Sequence, residues 1–191
     1  IMMVSYQFVE GSDTTSYVAF YNFGDVGQNE DDRIVSGYKY EGVVIPQIQY
    51  LSNNRSVALK DNGFTIYQGS QIPKEVKTVE TDKEIVSTFY DDDMIGMVFK
   101  NDSKDKQYTM EVYTTEGKLK FKQDFNIPYT TIRLSGGNIL MYNSSQMCVM
   151  NSRGVQKYMG SVDGTIKDFF KIGWNRYMLV LDSGVDVIKL S

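Results

Sequence analysis

Asn151-Ser152-Arg153-Gly154-Val155-Gln156-Lys157-Tyr158 repeats the pattern of Thr114-Thr115-Glu116-Gly117-Lys118-Leu119-Lys120-Phe121: two turn formers, a variable residue, glycine, then a short strand ending in an aromatic. The same punctuation returns along the whole chain. Runs with period-2 alternation are separated by clusters of Gly, Asn, Asp and Ser, the signature of strands joined by tight turns.

Around this repeat, a central module reads Ile85 to Tyr90, Met94 to Lys100, Gln107 to Thr114 and Lys118 to Phe125. The next reads Tyr129 to Leu134, Asn138 to Tyr142, Gln146 to Met150 and Val155 to Met159. Before them lie Ile45 to Leu51, Ser56 to Leu59, Phe64 to Gln68 and Lys74 to Val79; after them come Thr165 to Ile172, Arg176 to Leu181 and Val185 to Leu190. Ile48, Thr88, Ile132 and Phe170, at comparable first-strand positions, are spaced by about 40 residues, the period of successive four-stranded blades. The first segment reads as Met3 to Glu10, a polar turn over Gly11 to Thr15, Ser16 to Phe23, an acidic loop, and Arg33 to Tyr40.

These strands predict an all-β fold, a β-propeller-like array of four-stranded antiparallel blades with roughly eighteen strands. One partial propeller domain over 1–191 divides into an incomplete blade at 1–44, blades at 45–84, 85–128 and 129–164, and an incomplete blade at 165–191. The chain is expected to be the carboxyl-terminal part of a larger propeller. Open edge strands at both ends predict a homo-oligomer formed by strand pairing.

Composition supports sheets. The 191 residues are 41% hydrophobic, with 14 Tyr and 10 Phe against 3 Pro, so there is material for a core and few residues that delete a ladder donor. A net charge of −4, from 20 basic and 24 acidic side chains of interspersed sign, steers no polyanion inward and excludes nucleic acid as the expected partner. The longest apolar runs, such as Met178-Leu179-Val180-Leu181, fall far short of the ~20 residues that cross a bilayer, so this segment is expected to make no membrane contact. A single cysteine, Cys148, rules out an intrachain disulfide and a cysteine-cluster metal site.

Ile139-Leu140-Met141-Tyr142, Val149-Met150-Asn151-Ser152-Arg153-Gly154 and Tyr177-Met178-Leu179-Val180-Leu181 resemble the degenerate blades of WD40-like and quinoprotein-like propellers, without the Trp-Asp and Gly-His signatures of true WD40 repeats. More narrowly, the chain resembles an uncharacterised family of Gram-positive bacterial proteins with an amino-terminal membrane anchor and an extracytoplasmic propeller. That resemblance implies a surface-facing sensor, scaffold or binding module held at the membrane by a segment preceding these residues. It implies no catalytic residues. A cytoplasmic location is the alternative.

The chain contains no histidine, which removes the usual general base of serine and cysteine hydrolases and the commonest zinc ligand. Ser103-Lys104-Asp105-Lys106 and Ser36-Gly37-Tyr38-Lys39 match a Ser-x-x-Lys string but lack the helix and the companion motifs that make it catalytic. Asp91-Asp92-Asp93 and the stretch from Asp25 to Asp32 read as solvated acidic turns. Neither Asn101 to Asp105 nor Asp25 to Asn29 has the full oxygen-ligand loop of a calcium site. Ser135-Gly136-Gly137-Asn138 joins two strands, so it is no phosphate cradle. Cys148, flanked by apolar residues, is expected to be buried, and Met147, Met150 and Met178 to fill gaps between sheets. No cofactor and no metal is expected.

Trp174 sits in a turn between Gly173 and Asn175. The expected arrangement packs the indole back over a sheet; left exposed, Trp174, Asn175 and Arg176 would form a stacking and hydrogen-bonding surface for a protein or a glycan. The functional expectation is a non-enzymatic binding or scaffolding module of the cell envelope. The alternative is a carboxylate-dependent enzyme acting on a glycan or lactone, active only in a full ring.

Overall fold

The computed structural model describes residues 1–24, 33–101 and 105–190. Among them there are strands and turns but no helix, and hence no helix long and apolar enough to cross a membrane. Successive strands pair as antiparallel meanders.

The first sheet holds β1 (Met2–Glu10), β2 (Asp13–Tyr21) and β3 (Ile34–Glu41). The second holds β4 (Gln47–Leu51), β5 (Arg55–Lys60), β6 (Gly63–Gln68) and β7 (Lys74–Glu80), and the third β8 (Ile85–Tyr90), β9 (Met94–Lys100), β10 (Tyr108–Thr114) and β11 (Leu119–Phe125). The fourth holds β12 (Thr131–Ser135), β13 (Asn138–Tyr142), β14 (Gln146–Asn151) and β15 (Gln156–Ser161), and the fifth β16 (Ile166–Gly173), β17 (Arg176–Leu181) and β18 (Gly184–Lys189). The fold class is the one expected: all-β and propeller-like, with three four-stranded antiparallel sheets and, first and last in chain order, two of three strands.

Three strands start two or more residues from their expected limits, each for a physical reason. β2 begins at Asp13, because Glu10 pairs with Asp13 and only Gly11 and Ser12 turn the chain. Polar Asp13-Thr14-Thr15 reads as a loop, yet threonine suits a pleated, half-exposed strand. β4 begins at Gln47, since Pro46 has no N–H to give a ladder. β12 begins at Thr131, and Tyr129 instead packs its ring 5.3 Å from Tyr108 and 6.0 Å from Phe125.

The chain divides into two compact units. One comprises Ile1–Ile85, Asp92–Met94 and Tyr113–Lys118; the other comprises Val86–Asp91, Ile95–Val112 and Leu119–Ser191. In the first unit, Met3, Val18 and Phe20 from one sheet meet Ile45, Ala58 and Tyr67, flanked by Tyr38, Tyr40 and Ile48. Polar groups inside this seam are paired. The Tyr40 and Tyr67 hydroxyls hydrogen-bond each other, Tyr40 also donates to Glu75 Oε2 at 3.2 Å, and the enclosed Lys60 ammonium lies 3.3 Å from Glu80 Oε1 and 5.2 Å from the centre of the Tyr40 ring. Burial raises the Tyr40 hydroxyl to about 12, so both phenols stay neutral donors.

In the second unit, Leu140, Tyr142, Met147 and Val149 of the fourth sheet close on Ile166, Phe169, Tyr177 and Leu179 of the fifth. Each such side chain stabilises the fold by roughly 1.5–3 kcal/mol when fully withdrawn from water. Arg133 pins the two sheets beside this core, donating from Nη2 to Asp168 Oδ1 at 2.6 Å and from Nε to the Phe169 carbonyl at 3.2 Å.

Candidate functional site

Gly173 pairs with Arg176, so β16 and β17 are joined by Trp174 and Asn175 alone. Two residues are too few to fold an indole back over either strand. Trp174 is accordingly 88% exposed, more than any other large hydrophobic side chain among the described residues, which overturns the expected packing. Asn175 takes the left-handed conformation (φ 51°) that asparagine tolerates, and its carbonyl accepts the Leu190 N–H at 2.9 Å. The Arg176 guanidinium lies over Gly173, where a methyl group would come within 3.6 Å of Nε and Nη2. The turn thus presents the three predicted residues side by side, without a stack between indole and guanidinium.

Among the described residues the acidic turns gather no metal site. At Asp91-Asp92-Asp93, the Ser52 N–H donates to the Asp92 carbonyl at 3.1 Å, and Asp92 and Asp93 are exposed. The stretch Asp25 to Asp32 and residues 102–104 of the other candidate loop, with Ser103 and Lys104 of the first Ser-x-x-Lys string, lie outside the described residues. Among the described residues no three His, Cys, Asp or Glu side chains converge as a metal site.

Three carboxyls are held below the ordinary carboxylate range: Glu41 by its hydrogen bond from Lys39, Glu116 by a hydrogen bond with Thr114, and Asp182 by the Thr165 backbone N–H. A general acid needs the opposite displacement. Asp168 is occupied by Arg133, by the Tyr142 hydroxyl at 3.0 Å and by the Phe169 N–H at 2.8 Å. Cys148 is fully buried, as expected, and burial pushes its thiol up to about 12, so it is no nucleophile at neutral pH.

Sequence reasoning missed a cleft of about 500 Å³ in the second unit, between the end of β11 and the β14–β15 turn. Its lining includes buried Phe125, Ile127 and Met150, exposed Val155 and Met159, and Lys106 and Arg153, which bring positive charge. The turn that carries Arg153 is the repeat Asn151-Ser152-Arg153-Gly154. Asn151 Oδ1 accepts the N–H groups of Arg153 at 2.9 Å and Val155 at 3.0 Å, while its backbone pairs with Gly154 and Val155. Gly154 (φ 80°) presses on the Phe121 ring, where any Cβ would come within 2.7 Å. The motif was legible as turn grammar; its partners across the cleft, 123–127, were not.

Comparison with curated proteins finds no match. Among solved structures, the chain is similar to BBS1N in complex with ARL6DN, soaked with mercury (TM-score 0.54, 11% identity, 98% of this chain and 64% of that one). It is also similar to HIRA(644-1017) (TM-score 0.50, 11% identity, 97% and 49%) and to BamB from Moraxella catarrhalis (TM-score 0.48, 9% identity, 76% and 42%). The chain therefore spans less than two thirds of the length of each. Likeness to BBS1N and HIRA at this identity establishes the propeller fold alone. A family profile covers nearly the whole chain, matching residues 1–190, and the protein belongs to the family of unknown function DUF5711.

Proposed function

We propose that this chain is a non-enzymatic binding module for a protein partner, with the Trp174-Asn175-Arg176 turn as its contact. The supporting observation is an indole held 88% exposed on a two-residue hairpin turn, tied at Asn175 to the end of the neighbouring strand. An exposed tryptophan on a rigid turn offers a large contact area with little conformational freedom to lose, and tryptophan and arginine are the residues most often found to dominate interfaces. The frame suits the role: sheets hold the turn, and the similar fold of BBS1N was solved in complex with another protein, ARL6DN. In keeping with the resemblance to membrane-anchored proteins, we place the module outside the cytoplasm as part of a longer protein of the cell envelope. A glycan is the second class of ligand that the same ring and guanidinium suit.

Trp174 is the single tryptophan of the chain, so its fluorescence reports this turn and nothing else. Peptide and glycan arrays probed with the protein should yield a ligand that shifts or quenches that emission, and Trp174→Ala should weaken its binding by at least ~10-fold, about 1.4 kcal/mol. A ligand that leaves the emission unchanged and binds Trp174→Ala and Arg176→Ala as tightly as the parent would remove the turn from the interface.

A further inference from the structure

We infer that the cleft between β11 and the β14–β15 turn is a second binding site, for an extended peptide of alternating acidic and aliphatic residues. Its volume of about 500 Å³ falls in the range of specific ligand sites. Part of the lining is apolar, with Val155 58% and Met159 46% exposed although Met150 and Ile127 of the same lining are buried. Two aliphatic side chains of a ligand would cover both. The charge at the mouth decides the rest. Lys106 and Arg153 form no ion pair among the described residues, whereas the one carboxylate of the lining, Asp124, already accepts the Thr109 hydroxyl at 2.7 Å.

The cleft is thus a cationic corner on a chain of net charge −4. The overall field does not draw an anionic ligand in, so recognition rests on short contacts to Arg153 and Lys106. Arg153 is suited to this, since the Asn151 hydrogen bonds and the Gly154 contact with Phe121 fix its backbone before any ligand arrives. β11 and β15 are also the outermost strands of their sheets, so each has a free ladder edge to which an extended backbone can add, spacing acidic and aliphatic side chains to alternate sides. A compact anion would use the charge and leave Val155 and Met159 in water; an apolar peptide would leave both cations unanswered.

The test is fluorescence anisotropy with a fluorescein-labelled hexapeptide, Asp-Val-Asp-Leu-Asp-Val, titrated with the 191-residue protein. Saturable binding is expected, weakened by at least ~10-fold in Arg153→Glu and in Val155→Asp, and several-fold when salt is raised from about 50 to about 500 mM. Circular dichroism and the thermal midpoint check that both exposed-site variants remain folded. The same peptide with Lys for every Asp should not bind. Trp174→Ala should leave the affinity unchanged, which separates this cleft from the turn proposed above. No saturable binding of the acidic probe, binding indifferent to Arg153→Glu, or preference for a sulfated oligosaccharide over the peptide would each overturn the inference.

Discussion

The first sheet and the fourth are written in the same alternating grammar and end in opposite environments. All five residues of β13 in the fourth sheet are buried, and both of its faces are covered. In β1 of the first sheet only Met3 is buried, although Met2, Val4, Tyr6 and Phe8 would suit a core equally well. Met3, Val18 and Phe20 face the second sheet; the opposite face leaves Phe8 62% and Tyr6 43% exposed, Tyr6 lining a depression of about 170 Å³ beside Ala19 and Gly37. There the aromatic rings cover one another, Tyr6 stacked on Tyr17 at 5.1 Å and Phe8 edge-on to Tyr17 at 5.8 Å. Apolar pattern assigns a residue to a face, and the neighbouring layer decides what burying that face contributes.

The largest effect is expected where the two regions differ most. Phe169→Ala empties a site enclosed by Tyr142, Tyr177 and Leu179 and should cost about 3–5 kcal/mol, read as a lower denaturant midpoint at unchanged slope. The next concerns proton linkage in the fourth sheet. The Cys148 thiol, raised by burial from 9.0 to about 12, binds its proton in the folded state at pH values where the unfolded chain has lost it. The contribution of this one group to folding stability is therefore complete below pH 9 and falls as pH rises from 9 toward 12, by up to about 1.4 kcal/mol per pH unit. Urea titrations across that window should show the slope, and Cys148→Ala should make it shallower by up to about 1.4 kcal/mol per pH unit, the buried phenols such as Tyr40 keeping the remainder; a slope identical in the parent and in Cys148→Ala would contradict the burial of the thiol. The smallest effect belongs to the open face. Phe8→Ala makes the same truncation as Phe169→Ala in mostly exposed surroundings and should cost less than about 1 kcal/mol. Equal losses at the two phenylalanines would erase the contrast between the sheets.

Much of the strand map was legible because alternation and turn chemistry agree locally. Asn138 to Tyr142, Arg176 to Leu181, Ile85 to Tyr90 and Met94 to Lys100 are strands at their expected limits. Errors arose where polarity stood in for geometry. Asp13-Thr14-Thr15 looks like a loop and lies in a strand, and Trp174 looks like a core residue and stands in solvent. The Trp174 turn was found from its neighbours in sequence, but its exposure depended on Gly173 pairing with Arg176, which leaves a connection of two residues. The cleft was invisible because its lining runs from Lys106 through 123–127 to Met159, and no local pattern links those segments.

That this chain forms strands, where most of them turn, and that neither an intrachain disulfide nor histidine chemistry is open to these residues follow from side-chain period, turn propensity and composition alone. Which apolar faces are covered, that Trp174 stands in solvent, and that Arg153 shares a cleft with Lys106 were set by how the sheets pack. Each of these depends on segments far apart in sequence meeting in space, and a pattern read along the chain holds no term for that.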